Sequence, residues 1–140
     1  MDVVQDPSGF IWIGTQDGLN RYDGYRFEKF LLDPDDSFSL SNNYIWTLFV
    51  DRRGRLWVGT GGGGLNRFDY HFNRFYRYLS KRDDKNSLSS NFIRAICEDK
   101  DGYLWIGSAR GLNRFDPASG NFTQYLNRPG DFNSLSHNVV

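Results

Sequence analysis

The chain has 140 residues, 39% of them hydrophobic and 17% aromatic, with 15 glycines and a formal net charge of zero. That length suits one ordinary domain with a sizeable core, and the evenly mixed charges leave no basic stripe of the kind a nucleic acid needs. The single cysteine excludes an intrachain disulfide, and neither a signal peptide nor an apolar run of membrane-spanning length is visible.

The elements repeat. Met1 to Gln5 reads as the end of a strand, and Asp6 to Arg21 follows as DPSGFIWIGTQDGLNR. The same pattern returns at Asp51 to Arg67 (DRRGRLWVGTGGGGLNR) and at Asp99 to Arg114 (DKDGYLWIGSARGLNR). Trp12, Trp57 and Trp105 are 45 and 48 positions apart, the length of a four-stranded β-propeller blade. The final Asn138-Val139-Val140 matches Asn43-Tyr44-Ile45 and Asn91-Phe92-Ile93, so the chain stops at the repeat phase where it starts. The expectation is one all-β propeller segment over residues 1–140, in three units of about 1–45, 46–93 and 94–140, with the first strand cut at both chain ends. It would be part of a longer propeller, or half of a six-bladed ring formed by two copies.

The middle repeat shows the predicted strands most clearly. Tyr44 to Val50 is β-branched and aromatic, a strand by composition. Asp51 to Gly54 turns the chain, with Asp bonding back to the turn amides and Gly at positive φ. Gly9 and Gly102, with Asp6 and Asp99, do the same in the other repeats. Leu56 to Thr60 is continuously apolar, as a strand covered on both faces should be. Gly64 to Asp69 is the third strand. Arg74 to Leu79 is the fourth, its mix of charge and aromatics suited to an outer edge; its counterparts are Arg26 to Leu31 and Asn121 to Leu126. Polar connectors at 33–43, 80–91 and 127–138 each carry Ser-Leu-Ser, and each should plug its leucine between blades. Cys97 aligns with Val4 and Phe49 and is expected to be a small buried hydrophobe.

These residues resemble the two-component regulator propeller repeat. Its hallmark, D-x-x-G-x-[LI]-W-[IV]-G-[TS] followed by G-L-N-R-[FY]-D, is matched by Asp6–Thr15 with Gly18–Asp23, by Asp51–Thr60 with Gly64–Asp69, and by Asp99–Ser108 with Gly111–Asp116. The resemblance covers essentially the whole chain. It implies a non-enzymatic β-propeller sensor region in the periplasmic or extracytoplasmic part of a membrane sensor. The usual parents are hybrid sensor histidine kinases, many of which sense polysaccharide breakdown products and carry more than three repeats. The implied partners are further blades, from the same parent chain or a second copy, and an oligosaccharide. No cofactor or metal is expected, and histidine kinase activity would belong to the parent.

Most distinctive residues read as structure. Trp12, Trp57 and Trp105 with Gly14, Gly59 and Gly107 recur on the second strand among apolar neighbours, which favours an inter-blade core over a sugar platform. Arg21, Arg67 and Arg114 each precede an aspartate by two positions (Asp23, Asp69, Asp116). That spacing places both side chains on one strand face, and an Arg–Asp or Arg–backbone tie within each blade is expected rather than three arginines converging on an anion. Gly59, Gly61 and Gly64 fit G-x-G-x-x-G, but a strand follows instead of the helix a dinucleotide site needs. Asp99-Lys100-Asp101-Gly102 lacks the downstream ligands of a calcium loop, and Asp33, Asp35 and Asp36 offer at most a surface cation site. His71 and His137 have no partner at metal spacing. Trp46 and Arg94 differ: they share one repeat position that the repeat does not fix, near the start of a first strand and the central channel. They are the candidate ligand-binding residues. A protein-interaction scaffold is the alternative function, and a propeller enzyme a weaker one.

Overall fold

A computed structural model describes residues 1–140. It contains twelve strands and no helix. The first sheet holds β1 (Asp2–Gln5), β2 (Ile11–Thr15), β3 (Gly18–Tyr22) and β4 (Phe27–Phe30). The second holds β5 (Ile45–Val50), β6 (Leu56–Thr60), β7 (Leu65–Asp69) and β8 (Arg74–Tyr78). The third holds β9 (Ile93–Glu98), β10 (Leu104–Ser108), β11 (Gly111–Asp116) and β12 (Asn121–Tyr125). Each sheet is antiparallel with its strands in chain order, the meander expected of a blade.

The hallmark aspartate folds each blade locally. One oxygen of Asp51 accepts the amides of Arg53 and Arg55, and the other accepts the Trp57 indole N–H at 2.8 Å. Asp6 makes the same set with Ser8, Phe10 and Trp12, and Asp99 with Asp101, Tyr103 and Trp105. The turn then closes at a glycine with positive φ: +89° at Gly9, +77° at Gly54 and +86° at Gly102. A side chain would strain that conformation. The repeated spacing of six between Asp and Trp is therefore a distance requirement, since the carboxylate must bridge the turn and the indole.

The core lies between blades rather than within one. Trp12 and Leu19 of the first sheet meet Ile45, Leu48, Leu56, Val58, Phe68 and Phe75 of the second, with Leu40 of the connector between them. Trp57 and Leu65 meet Ile93, Leu104, Ile106, Phe115 and Phe122, with Leu88 plugged in. All five residues of β6 are buried, because both its faces are covered. The glycine after the tryptophan sets the approach. A Cβ on Gly14 would stand 2.5 Å from Ile45 Cγ2, and one on Gly59 would stand 2.7 Å from Ile93 Cγ2. The leucine plugs are held by the Asn of the GLNR run. Asn66 accepts the Ser41 amide and donates to its hydroxyl, and Asn113 does the same with Ser89.

Two expectations fail. Cys97 is exposed, not buried. It lies on the face of the third sheet that would meet a following blade, and no blade covers it. Its counterparts Val4 and Phe49 pack against the two inter-blade cores. For the same reason Trp105 is only half-buried, whereas Trp12 and Trp57 are fully enclosed.

The expected Arg–Asp ties are also absent. Asp23, Asp69 and Asp116 turn back onto the next loop, taking the amides of Tyr25 and Arg26, of His71 and Phe72, and of Ala118. The arginines lie over aromatic rings instead. Arg21 stacks on Phe10 and Trp12 and pairs with Glu28, Arg67 stacks on Tyr76, and Arg114 stands 3.8 Å from the centre of Tyr103. A carboxylate satisfied by short backbone amides gains little from turning toward a distant guanidinium, which itself gains from the ring face.

Candidate functional site

The two residues singled out by their failure to repeat come together. In the second sheet the pairing runs Ile45↔Thr60, then Thr47↔Gly59, so Trp46 is left out of the ladder as a bulge. In the third it runs Gly107↔Ala95, then Ser108↔Ile93, which leaves out Arg94. Bulges of this kind re-aim a side chain away from the sheet. Both open at the same level of adjacent inner strands, and the Arg94 guanidinium carbon lies 5.4 Å from the centre of the Trp46 ring.

Two aromatics missed by sequence reasoning complete the cluster. Tyr44 meets the Trp46 ring edge-on at 5.9 Å, and Phe92 approaches it at 5.9 Å with the planes tilted 47°. Both remain exposed, at 41% and 46%. They occupy equivalent repeat positions, where the third member is Val139. An aromatic pair two positions before the candidate pair is the available signal.

The glycine-rich loop of the middle repeat forms the seat. Gly61 N–H donates to the Tyr44 carbonyl at 2.8 Å, and the amides of Gly62 and Gly64 donate to the Asn91 carbonyl. This ties the loop to both aromatic segments. A Cβ on Gly61 would stand 2.9 Å from the Trp46 indole, so only glycine lets the ring lie there. Gln16 and Ala109 stand at the matching place in the other repeats. The loop's glycines thus serve an aromatic seat and not a phosphate cradle.

The cluster is an open shelf. Clefts of about 420 Å3 beside Arg52, Arg53 and Lys100, and of about 410 Å3 beside Trp105, Leu112 and Tyr125, lie elsewhere. No group of three His, Cys, Asp or Glu side chains is placed to hold a metal. No helix is long and apolar enough to cross a membrane. The shelf offers ring faces and one cation, which is binding chemistry without a nucleophile or an acid–base pair.

Comparison with known proteins agrees with this architecture. Residues 39–62 and 87–110 match the family model of the two component regulator propeller. The fold superposes with a TM-score of 0.83 and 30% identity on a structure described as the extracellular domain of a hybrid two component system, BT3049, from B. thetaiotaomicron. That match covers 90% of this chain and 18% of the other. A curated relative, histidine kinase P4 of Formosa agariphila, is 46% identical over 41 residues, which is 29% of this chain and 3% of the relative. The chain thus spans a small part of the proteins it matches. The class is an all-β propeller segment of stacked four-stranded blades. Within it, residues 39–62 and 87–110 are similar to the two component regulator propeller repeat.

Proposed function

We propose that this chain is part of the non-enzymatic, ligand-binding sensor region of a two-component receptor. The region lies outside the cytoplasm, and the parent is a hybrid sensor histidine kinase that detects polysaccharide breakdown products. The fold match to an extracellular domain of such a system supports the placement, and the short match to a histidine kinase supports the parent.

One observation carries the binding role. Three residues at positions where these repeats differ (Trp46, Arg94 and Gly61) converge at one shelf, while the strictly repeated residues are spent on turns and inter-blade packing. Aromatic faces suit the apolar C–H faces of sugar rings. The three units would sit within a propeller of more blades, from the same chain or a second copy; the apolar, uncovered faces of the first and third sheets support this. Signalling then requires only that ligand bind one packing arrangement of the parent better than another.

Calorimetry of the full chain against a panel of plant and algal oligosaccharides tests the reading. The expected result is saturable heat with at least one of them, lost in Trp46→Met. Silence across the panel, or binding that ignores Trp46→Met, counts against it.

A further inference from the structure

We propose that the shelf takes an acidic pyranose, a sugar ring bearing a carboxylate or a sulfate ester. The ring face would lie on Trp46 and Phe92, and the anion on Arg94. This rests on the sensor reading above and narrows its ligand.

The argument is one of unspent charge. The chain's ion pairs employ Arg21, Lys29, Arg52 and Arg55, and Arg94 joins none of them. It is exposed, and its contact is with the π face of Trp46. A guanidinium over a ring keeps its edge N–H groups available, and these match the two oxygens of a carboxylate or sulfate. The acid on β1, the inner strand on the other side of β5, does not compete. Asp2 is turned to the Leu48 amide at 2.8 Å and the Thr47 hydroxyl at 3.3 Å.

The rings speak against a simple inorganic anion. Exposed Tyr44 and Phe92 flank the half-buried Trp46, a contiguous aromatic surface that such an ion would leave unused. A neutral sugar would use the rings and leave the guanidinium unpaired. An acidic sugar uses both. The bulges make this possible. In a regular ladder, residues 46 and 94 would alternate with their neighbours into the sheet faces instead of being re-aimed.

Matched pairs of ligands test the proposal by titration calorimetry on the full chain: an oligogalacturonide against its methyl ester, and a sulfated galacto-oligosaccharide against its desulfated form. At least one anionic member should bind roughly ten-fold more tightly than its neutral partner, a difference of the size one charge-assisted pair supplies. The preference should weaken with added salt. Arg94→Gln should bring the pair to about equal affinity without altering the circular dichroism, because the side chain is exposed. Trp46→Met should remove binding of both members.

If the acidic and neutral members bind alike, if the preference survives Arg94→Gln, or if neither acidic member binds, the acidic-sugar proposal is overturned. The sensor reading falls separately, if the wider panel gives no binding or gives binding that ignores Trp46→Met. The two arms distinguish a carboxylate ligand from a sulfate one.

Discussion

At the residue scale, the most consequential side chain is the aspartate that opens each hallmark. Asp51 is almost fully buried and holds two turn amides, the Trp57 indole and the Arg55 guanidinium. Asp51→Ala would strand these donors where water cannot replace the acceptor. A loss of about 2–4 kcal/mol is expected, the range for breaking a buried hydrogen-bond network, read as a fall in the urea midpoint at unchanged slope. The same change at Asp99 should cost less, because Trp105 is partly open to solvent.

Titration follows from the same contacts. The Trp105 indole holds the Asp99 carboxyl below its ordinary 3.8, and the amides of Arg26 and Tyr25 do so for Asp23. Burial pushes Asp69 up, but the amides of Phe72 and His71 outweigh it and leave it lowered. A depressed folded-state pKa means that the unfolded chain takes up protons first. The stabilisation from these groups is complete above pH 3.8 and is lost as the pH falls through their lowered values. Thermal midpoints should therefore fall below pH 4, a threshold set by the ordinary aspartate range. Tyr70 acts at the other end. Burial, with its hydrogen bond to Asp6, raises its phenol above the ordinary 10.0, so its contribution is present below pH 10 and lost as the pH rises through the shifted value.

At the element scale, the connectors are held less by their own sequence than by the blade they reach. Asn66 is fully buried, and its amide holds Ser41, which fixes the Leu40 plug. Asn66→Ala should cost about 1–3 kcal/mol, the penalty for leaving buried polar groups unpaired. Asn20 holds the same repeat position in the first blade but is only partly buried, and Asn20→Ala should cost less. Urea unfolding of the two variants side by side makes the comparison.

These elements also show what the sequence could disclose. The strands, turns and inter-blade tryptophans were legible because three copies of one pattern average away local ambiguity. Trp46 and Arg94 were legible for the opposite reason, as departures from that pattern. The bulges that join them were not legible, because pairing register is decided between strands and leaves no mark within one. The Arg–Asp tie was misread because shared strand-face spacing says nothing of the turn amides that claimed each aspartate first. Asn66 went unremarked because its partner lies 25 positions away in a connector.

At the scale of the molecule, the governing fact is that each blade is finished by its neighbour. Cys97, Trp105, Leu112, Tyr125 and Leu135 occupy the positions that Val4, Trp12, Leu19, Phe30 and Leu40 hold in the first inter-blade core. Trp105, Leu112 and Leu135 are identical to their counterparts yet less buried, so their exposure reflects an uncovered sheet face and not a change of residue. Cys97 reports this directly. In the isolated chain its thiol should react with an aromatic disulfide reagent at low micromolar protein about as fast as it does in urea. Covering that face should slow the reaction, since a protected thiol is reached only through local opening. The control is Phe49→Cys combined with Cys97→Ser, which moves the thiol to the equivalent position between the second and third blades. There the reaction should be slowed by roughly ten-fold or more, as the free energy of opening demands. Similar rates at both positions would mean that the blades do not shield one another. Protection of Cys97 that grows with protein concentration would mean that a second copy covers the face.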